Sequence, residues 1–121
     1  MLVVGLLVAG AIGAPVRFLV DGFVQEQTSH EFPWGTLVVN LTGSFVLGLL
    51  AGLALYHAFP ATPKTVLGSG FCGAYTTFST FTYETIRLAE SGRFRAAGRY
   101  AATSFIIPAL AAGLGLALAA F

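Results

Sequence analysis

The sequence predicts an all-α membrane protein of four membrane-spanning helices, the third of them broken near its middle. Three observations predict it. Only 9% of the 121 residues are charged, against roughly a quarter in average soluble domains, and mean hydropathy is +0.83. Four apolar stretches remain once the polar residues are marked, at about 2–20, 35–56, 64–88 and 99–121, each long enough to cross a bilayer core. Within the third, Gly68, Gly70 and Gly73 precede Thr76, Thr77, Ser79, Thr80 and Thr82. Glycines lower helix propensity, and a loosened backbone or a row of hydroxyls is tolerated in hydrocarbon only where protein or a polar pathway satisfies it. The stretch from Gly68 to Glu84 is therefore read as the lining of a conduction or binding site. The spans leave room for one transmembrane domain, 1–121, and for no soluble one.

The first span, about 2–20, has a signal peptide as its rival reading, because Ala9-Gly10-Ala11 resembles a cleavage site. No Lys or Arg precedes Leu2 and the apolar run continues past that point, so a retained helix is expected. Ala9 and Gly13 are four apart, a face on which another helix can lie close. Arg17 is read either as a side chain snorkelling to the headgroups or as an anion-attracting charge at a vestibule. The connection that follows is polar and ends in Phe32-Pro33-Trp34, an interfacial anchor. His30 has no partner at metal-ligand spacing and is expected as a solvated loop residue.

In the second span Ser44, Gly48 and Gly52 recur every four residues, the strongest helix-packing pattern in the chain. Asn40 is the only amide within any span, and Thr36 stands one turn before it on the same face. Asn40 either glues helices together or joins Thr36 in a short file of hydrogen-bond donors. In the third span Glu84 and Arg87 are three apart, where an exposed ion pair is the simple explanation. A carboxylate this near the membrane is also a functional candidate. Glu90 to Arg99 is expected as a short basic connection. In the fourth span Tyr100 and Ser104 share a face with Pro108, which removes the hydrogen bond to the carbonyl of residue 104 and should kink the helix.

These features exclude several function classes. A net charge of +1 argues against nucleic acid. The single Cys72 rules out an internal disulfide and any Cys-based metal cluster, and is read as a small apolar filler. No nucleophile–base pair, P-loop, dinucleotide fingerprint or His pair on a helix face is present, so catalysis is not expected. What the spans do offer is neutral donors: two N–H from Asn40 and one O–H each from Thr36, Ser79, Thr80 and Ser104. A strongly hydrated small anion needs such donors to replace its water, and uncharged ones release it again. Phe78 and Phe81 are three apart on one face. They either pack against neighbouring helices or turn their electropositive ring edges to an anion.

Three stretches carry a resemblance over essentially the whole chain: Gly13-Ala-Pro-Val-Arg17-Phe18, Gly35-Thr-Leu-Val-Val-Asn40-Leu-Thr-Gly-Ser44, and Gly70-Phe-Cys-Gly73-Ala-Tyr-Thr76-Thr-Phe78-Ser-Thr-Phe81-Thr-Tyr-Glu84. The chain resembles the Fluc (CrcB) fluoride channels. The resemblance implies an antiparallel, dual-topology dimer of four-helix subunits in a prokaryotic plasma membrane, with two pathways that let fluoride leak passively out of the cell. It implies that Asn40 and the edges of Phe78 and Phe81 coordinate fluoride. Thr36, Tyr100 and Ser104 would continue the path, with Thr80 and Glu84 along or near it and Arg17 at the aqueous entrance. It further implies a central sodium ion at the dimer interface, held by backbone carbonyls of Gly73 and Thr76 from both subunits. Pro108 departs from the family, which usually has a hydroxyl there.

Orientation fits a dual arrangement. Lys64 shares a side with the termini, while Arg17, Arg87, Arg93, Arg95 and Arg99 fall on the other. Arg17 and Arg87 lie within helix ends and the amino terminus adds an opposing charge, so the positive-inside bias is weak. The partner that the resemblance implies is an inverted copy of the same chain or an inverted paralogue. Two rivals complete the reading. A small multidrug-type transporter needs a carboxylate in the first span, and 2–20 has none. A non-conducting assembly subunit would tolerate apolar replacements of Asn40, Phe78 and Phe81.

Overall fold

The computed structural model describes residues 1–28 and 32–121, without the side chain of Ser79. His30 and the Ser79 hydroxyl, both named above, lie outside the described residues. The elements are α1 (Leu2–Gln27), α2 (Trp34–Tyr56), α3 (Ala61–Thr65), a π-helical segment (Val66–Cys72), α4 (Gly73–Tyr75), α5 (Ser79–Glu90) and α6 (Phe94–Ala119). Of these, α1, α2 and α6 are long and apolar enough to cross a membrane.

Helix boundaries run further than the sequence predicts, and for local reasons. α1 continues past Val20 to Gln27 because nothing in that polar stretch breaks it, glutamine and glutamate being good helix formers. It stops at Thr28, whose backbone turns extended while its Oγ1 donates back to the Val24 carbonyl at 2.9 Å. α6 begins at Phe94, so the expected basic connection over Glu90–Arg99 shrinks to residues 91–93. Charge does not end a helix; Gly92 does. It takes a left-handed φ of 81°, with its N–H on the Ala89 carbonyl at 3.1 Å and the Arg93 N–H on the Leu88 carbonyl at 3.0 Å. This is a Schellman closure, in which glycine carries the left-handed position without a Cβ clash. The third helical segment begins at Ala61 rather than Lys64, with Pro63 in the first turn, where a missing N–H costs nothing.

The expected span over 64–88 is not one helix. It passes from α3 through the π segment to α4, stops at Tyr75, and restarts at Ser79. Thr76 sits extended between the halves, at φ −79° and ψ 159°. α6, by contrast, stays helical across Pro108.

Close backbone approach explains how the helices assemble. α2 makes its most extensive contacts with α6, through the glycines whose spacing stands out in the sequence. A Cβ added to Gly48 would run into the Ala112 carbonyl, and one on Gly115 into the carbonyl of Phe45. At Gly52 it would lie 2.5 Å from Ala119 Cβ. The Ala9–Gly13 face of α1 meets the π segment: a Cβ on Gly13 would come 2.5 Å from the Phe71 carbonyl oxygen, and one on Gly70 would come 2.9 Å from Ala9 Cβ. In hydrocarbon such packing substitutes for the hydrophobic drive that lipid cancels. His57 Nε2 adds a hydrogen bond of 2.7 Å to the Ala119 carbonyl, tying the ends of α2 and α6.

A stability test arises here. Gly48→Ala should destabilise by about 1–3 kcal/mol, because the blocking atom is backbone and the helices must separate. Gly98→Ala, on α6 where an added Cβ meets nothing, should stabilise by up to about 1 kcal/mol through propensity alone. Unfolding temperatures of the detergent-solubilised proteins should move in opposite directions.

Candidate functional site

The site is built on the interruption between α4 and α5. Asn40, in the first third of α2, faces it and pairs with it twice: Nδ2 donates to the Thr77 carbonyl at 2.9 Å, and the Thr77 N–H donates to Oδ1 at 2.9 Å. A continuous α-helix would send the residue 77 amide to the carbonyl of Gly73. Here Asn40 takes that amide, so the side chain stands in for a lost turn of helix. Thr77 also caps the restart, its Oγ1 accepting from the Thr80 N–H at 3.2 Å. Nδ2 carries two hydrogens, and only one has a protein partner among the described residues. The two sequence readings of Asn40, glue and donor, are thus both physically open to it.

A carboxylate-centred cluster lies one turn along α2. Glu84 Oε1 accepts from Thr36 Oγ1 at 2.7 Å and from the Tyr100 hydroxyl at 3.0 Å. Thr36 is 1% exposed and Tyr100 0%, so both hydroxyls are held away from solvent. This corrects the simple expectation of an exposed Glu84–Arg87 ion pair. Glu84 turns toward α2 and α6, because buried hydroxyls there need an acceptor. It also means that Thr36 and Tyr100 are not free donors in this state; their hydrogens are committed to Glu84. One turn beyond Tyr100, the Ser104 Oγ is buried with no hydrogen-bond partner among the described residues. Pro108 leaves the Ser104 carbonyl without its helical donor as well.

Aromatic rings connect these two clusters. Phe78 and Phe81 have centroids 5.7 Å apart at 51°, and Phe81 lies 5.4 Å from Tyr100 at 53°. Both pairs are tilted rather than stacked face to face, an arrangement the ring quadrupoles favour. Phe81 is half-buried, whereas Phe78 is 77% exposed in the single chain.

Of the residues singled out from the sequence, the structure brings together Thr36, Glu84 and Tyr100, with Phe81 alongside and Ser104 one turn away. Asn40 and Thr80 both meet Thr77 at the interruption. Gly73 and Thr76 flank the break, and Gly73 is exposed there; the Thr76 Oγ1 is occupied by the Cys72 carbonyl at 2.8 Å. Arg17 is half-buried on α1 and joins none of these clusters. Three contributors were given no individual role in the site by the sequence reading. Thr77 is the partner of Asn40, and its place directly after the glycines was the available signal. Phe32 packs edge-on to Tyr100 at 5.4 Å and 89°. Gln25 donates to the Phe32 carbonyl and accepts from the Gly35 N–H, both at 3.0 Å, and no periodicity marks it.

Comparison with known proteins follows the same lines. The family profile described as "CrcB-like protein, Camphor Resistance (CrcB)" matches residues 4–116. A Streptomyces avermitilis protein named "Fluoride-specific ion channel FluC 1" is 50% identical over 115 residues, covering 94% of this chain and 89% of its own. A Leifsonia xyli protein of the same name is 44% identical over 116 residues, covering 96% and 85%. A Mycobacterium tuberculosis protein named "Fluoride-specific ion channel FluC 2" is 45% identical over 112 residues, covering 93% and 86%.

Proposed function

The chain belongs to the CrcB-like family, and from that premise we propose that it is a fluoride-selective passive channel of a prokaryotic plasma membrane, letting fluoride leave the cytoplasm and so protecting against its toxicity. The observation that carries this reading is the Asn40 amide seated on a broken helix, with one N–H to spare, beside a buried file of hydroxyls. The names of the relatives support fluoride as the ion.

The residues suggest how an ion would move. Fluoride sheds water as it reaches the spare Nδ2 hydrogen of Asn40 and the edges of Phe78 and Phe81. It then competes with Glu84 Oε1 for the hydrogens of Thr36 and Tyr100, both of which can rotate from carboxylate to ion. The unpartnered Ser104 hydroxyl is the next donor along α6, and Thr80 flanks the path at the start of α5. Each donor on this route is neutral, so each can release what it binds. Arg17, half-buried on α1, keeps its proposed place at an aqueous entrance.

Assembly follows from the same surfaces. The segment from α3 to α5 makes the fourth crossing of a single four-helix domain. The exposed Phe78 and Gly73 lie on the face that an inverted second copy, or an inverted paralogue, covers. A sodium ion fits the dimer interface on one observation: Asn40 diverts the amide that would otherwise satisfy the Gly73 carbonyl, and the extended Thr76 turns its own carbonyl out of the helical direction. Carbonyls freed in this way suit a hard cation. Gly73 and Thr76 of each chain would hold it, and its charge would fasten the two copies together.

The test is efflux from liposomes containing only this protein. Fluoride should leave without a proton gradient while chloride is retained. Liposomes that hold their fluoride would remove the channel reading; efflux that needs a proton gradient would favour the transporter alternative.

A further inference from the structure

The interruption is held from a second side. Asn40 grips Thr77, which follows the extended Thr76. Tyr75, the last residue of α4, reaches back to α2 with its hydroxyl 2.8 Å from Thr42 Oγ1. The direction of that bond follows from counting hydrogens. The single Thr42 hydroxyl hydrogen lies on the Val38 and Val39 carbonyls, at 2.8 and 3.1 Å, so Thr42 accepts and Tyr75 donates. The ring crosses α2 at Gly43, where an added Cβ would sit 3.2 Å from Tyr75 Cδ2 and run into Thr76 Cγ2. Phe71 stacks on the same ring at 5.7 Å and 13°, and only 7% of Tyr75 is exposed. Residues 75, 76 and 77 thus meet Thr42, Gly43 and Asn40 of one helix.

We infer that Tyr75 and Thr42 are positioning residues: their hydrogen bond fixes the end of α4, so that the Thr76 carbonyl is held ready for a hard monovalent cation. The inference rests on the proposed sodium role of Gly73 and Thr76. Thr76 is the one residue between two pinned neighbours, and it is extended. A single residue has only two soft dihedrals, so pinning both sides leaves its carbonyl little freedom to swing. A carbonyl held beforehand binds a cation without a further loss of conformational freedom. With the Tyr75 hydroxyl gone, the end of α4 can shift on α2, and ordering the carbonyl again would weaken cation binding. The hydroxyl touches no cation itself; it acts through the backbone of the next residue.

The experiment compares the whole wild-type protein with Tyr75→Phe, Thr42→Val, the double variant and Thr42→Ser. Sodium chloride replaces choline chloride at constant ionic strength. Phenylalanine keeps the ring that stacks on Phe71, and valine keeps the shape of threonine, so the variants should fold. The first readout is hydrogen exchange at the Thr77 amide, which Asn40 holds. Without sodium it should quicken about fivefold in Tyr75→Phe and in Thr42→Val, the scale of one neutral hydrogen bond, while amides in the middle of α6 stay unchanged. The second is the sodium concentration giving half of the sodium-dependent rise in Tm, which should also move up about fivefold. In both readouts the double variant should match the single ones, because they remove the same bond, and Thr42→Ser should match wild type. Unchanged Thr77 exchange, or additive losses in the double variant, would overturn the pin. A Tm lowered equally with and without sodium, at an unmoved midpoint, would do the same, since it marks ordinary packing. Quickened exchange in a protein whose Tm ignores sodium keeps the pin at the break and removes the sodium reading instead.

Discussion

Liposomes reconstituted with Asn40→Ala should retain their fluoride. The substitution removes the amide N–H proposed to meet the ion, and a hydrogen bond to a charged group is worth about 1.5–3 kcal/mol. At about 1.4 kcal/mol per decade, flux should fall by at least about tenfold, and further if nothing replaces the donor. Asn40 also satisfies both the carbonyl and the amide of Thr77, so the alanine variant leaves two backbone groups at the interruption without partners. Asn40→Asp keeps one half of that pairing: a carboxylate still accepts from the Thr77 N–H but donates nothing, so this variant should keep the wild-type oligomeric state on size exclusion and be equally silent in flux. Wild-type flux in either variant would take Asn40 off the path.

Phe78→Ile should likewise reduce fluoride efflux to that of empty liposomes. Isoleucine keeps the apolar surface and lacks the ring edge, and it is the edge that is electropositive. Phe78 is mostly exposed in the single chain, so its replacement disturbs little of the subunit's own packing. Phe78→Tyr, which preserves the edge, should conduct. A conducting isoleucine variant would leave the ring with a packing role only.

The architecture was legible in the sequence where one residue type admits one physical explanation. Glycines four apart on α2 meant close backbone approach, and α6 backbone lies against Gly48 and Gly52. Gly68, Gly70 and Gly73 meant a weakened helix, and an irregular segment followed by a stop occupies that stretch. Helix ends were less legible. The charged residues after Val20 and around Arg95 look like loop, yet they only mark where a helix leaves the apolar layer. Three residues named from the sequence meet in one cluster, but their bonding was not legible there. Thr36, Glu84 and Tyr100 were each named, but only the fold shows that one carboxylate oxygen holds both hydroxyls. Spacing along a sequence reports faces, and these three residues sit on three different helices. Thr77 was named only within a row of hydroxyls, because its pairing with Asn40 is made by backbone atoms, which no side-chain pattern encodes.

The three-residue gap after Tyr75 has an electrical consequence. A helix carries partial negative charge where it finishes and partial positive charge where it starts. At the gap one rod finishes and another begins within a few residues of chain, so a partly negative lip adjoins a partly positive one. A single kink in the backbone can thus welcome species of either sign at neighbouring edges, without any formally charged side chain being sunk into the membrane.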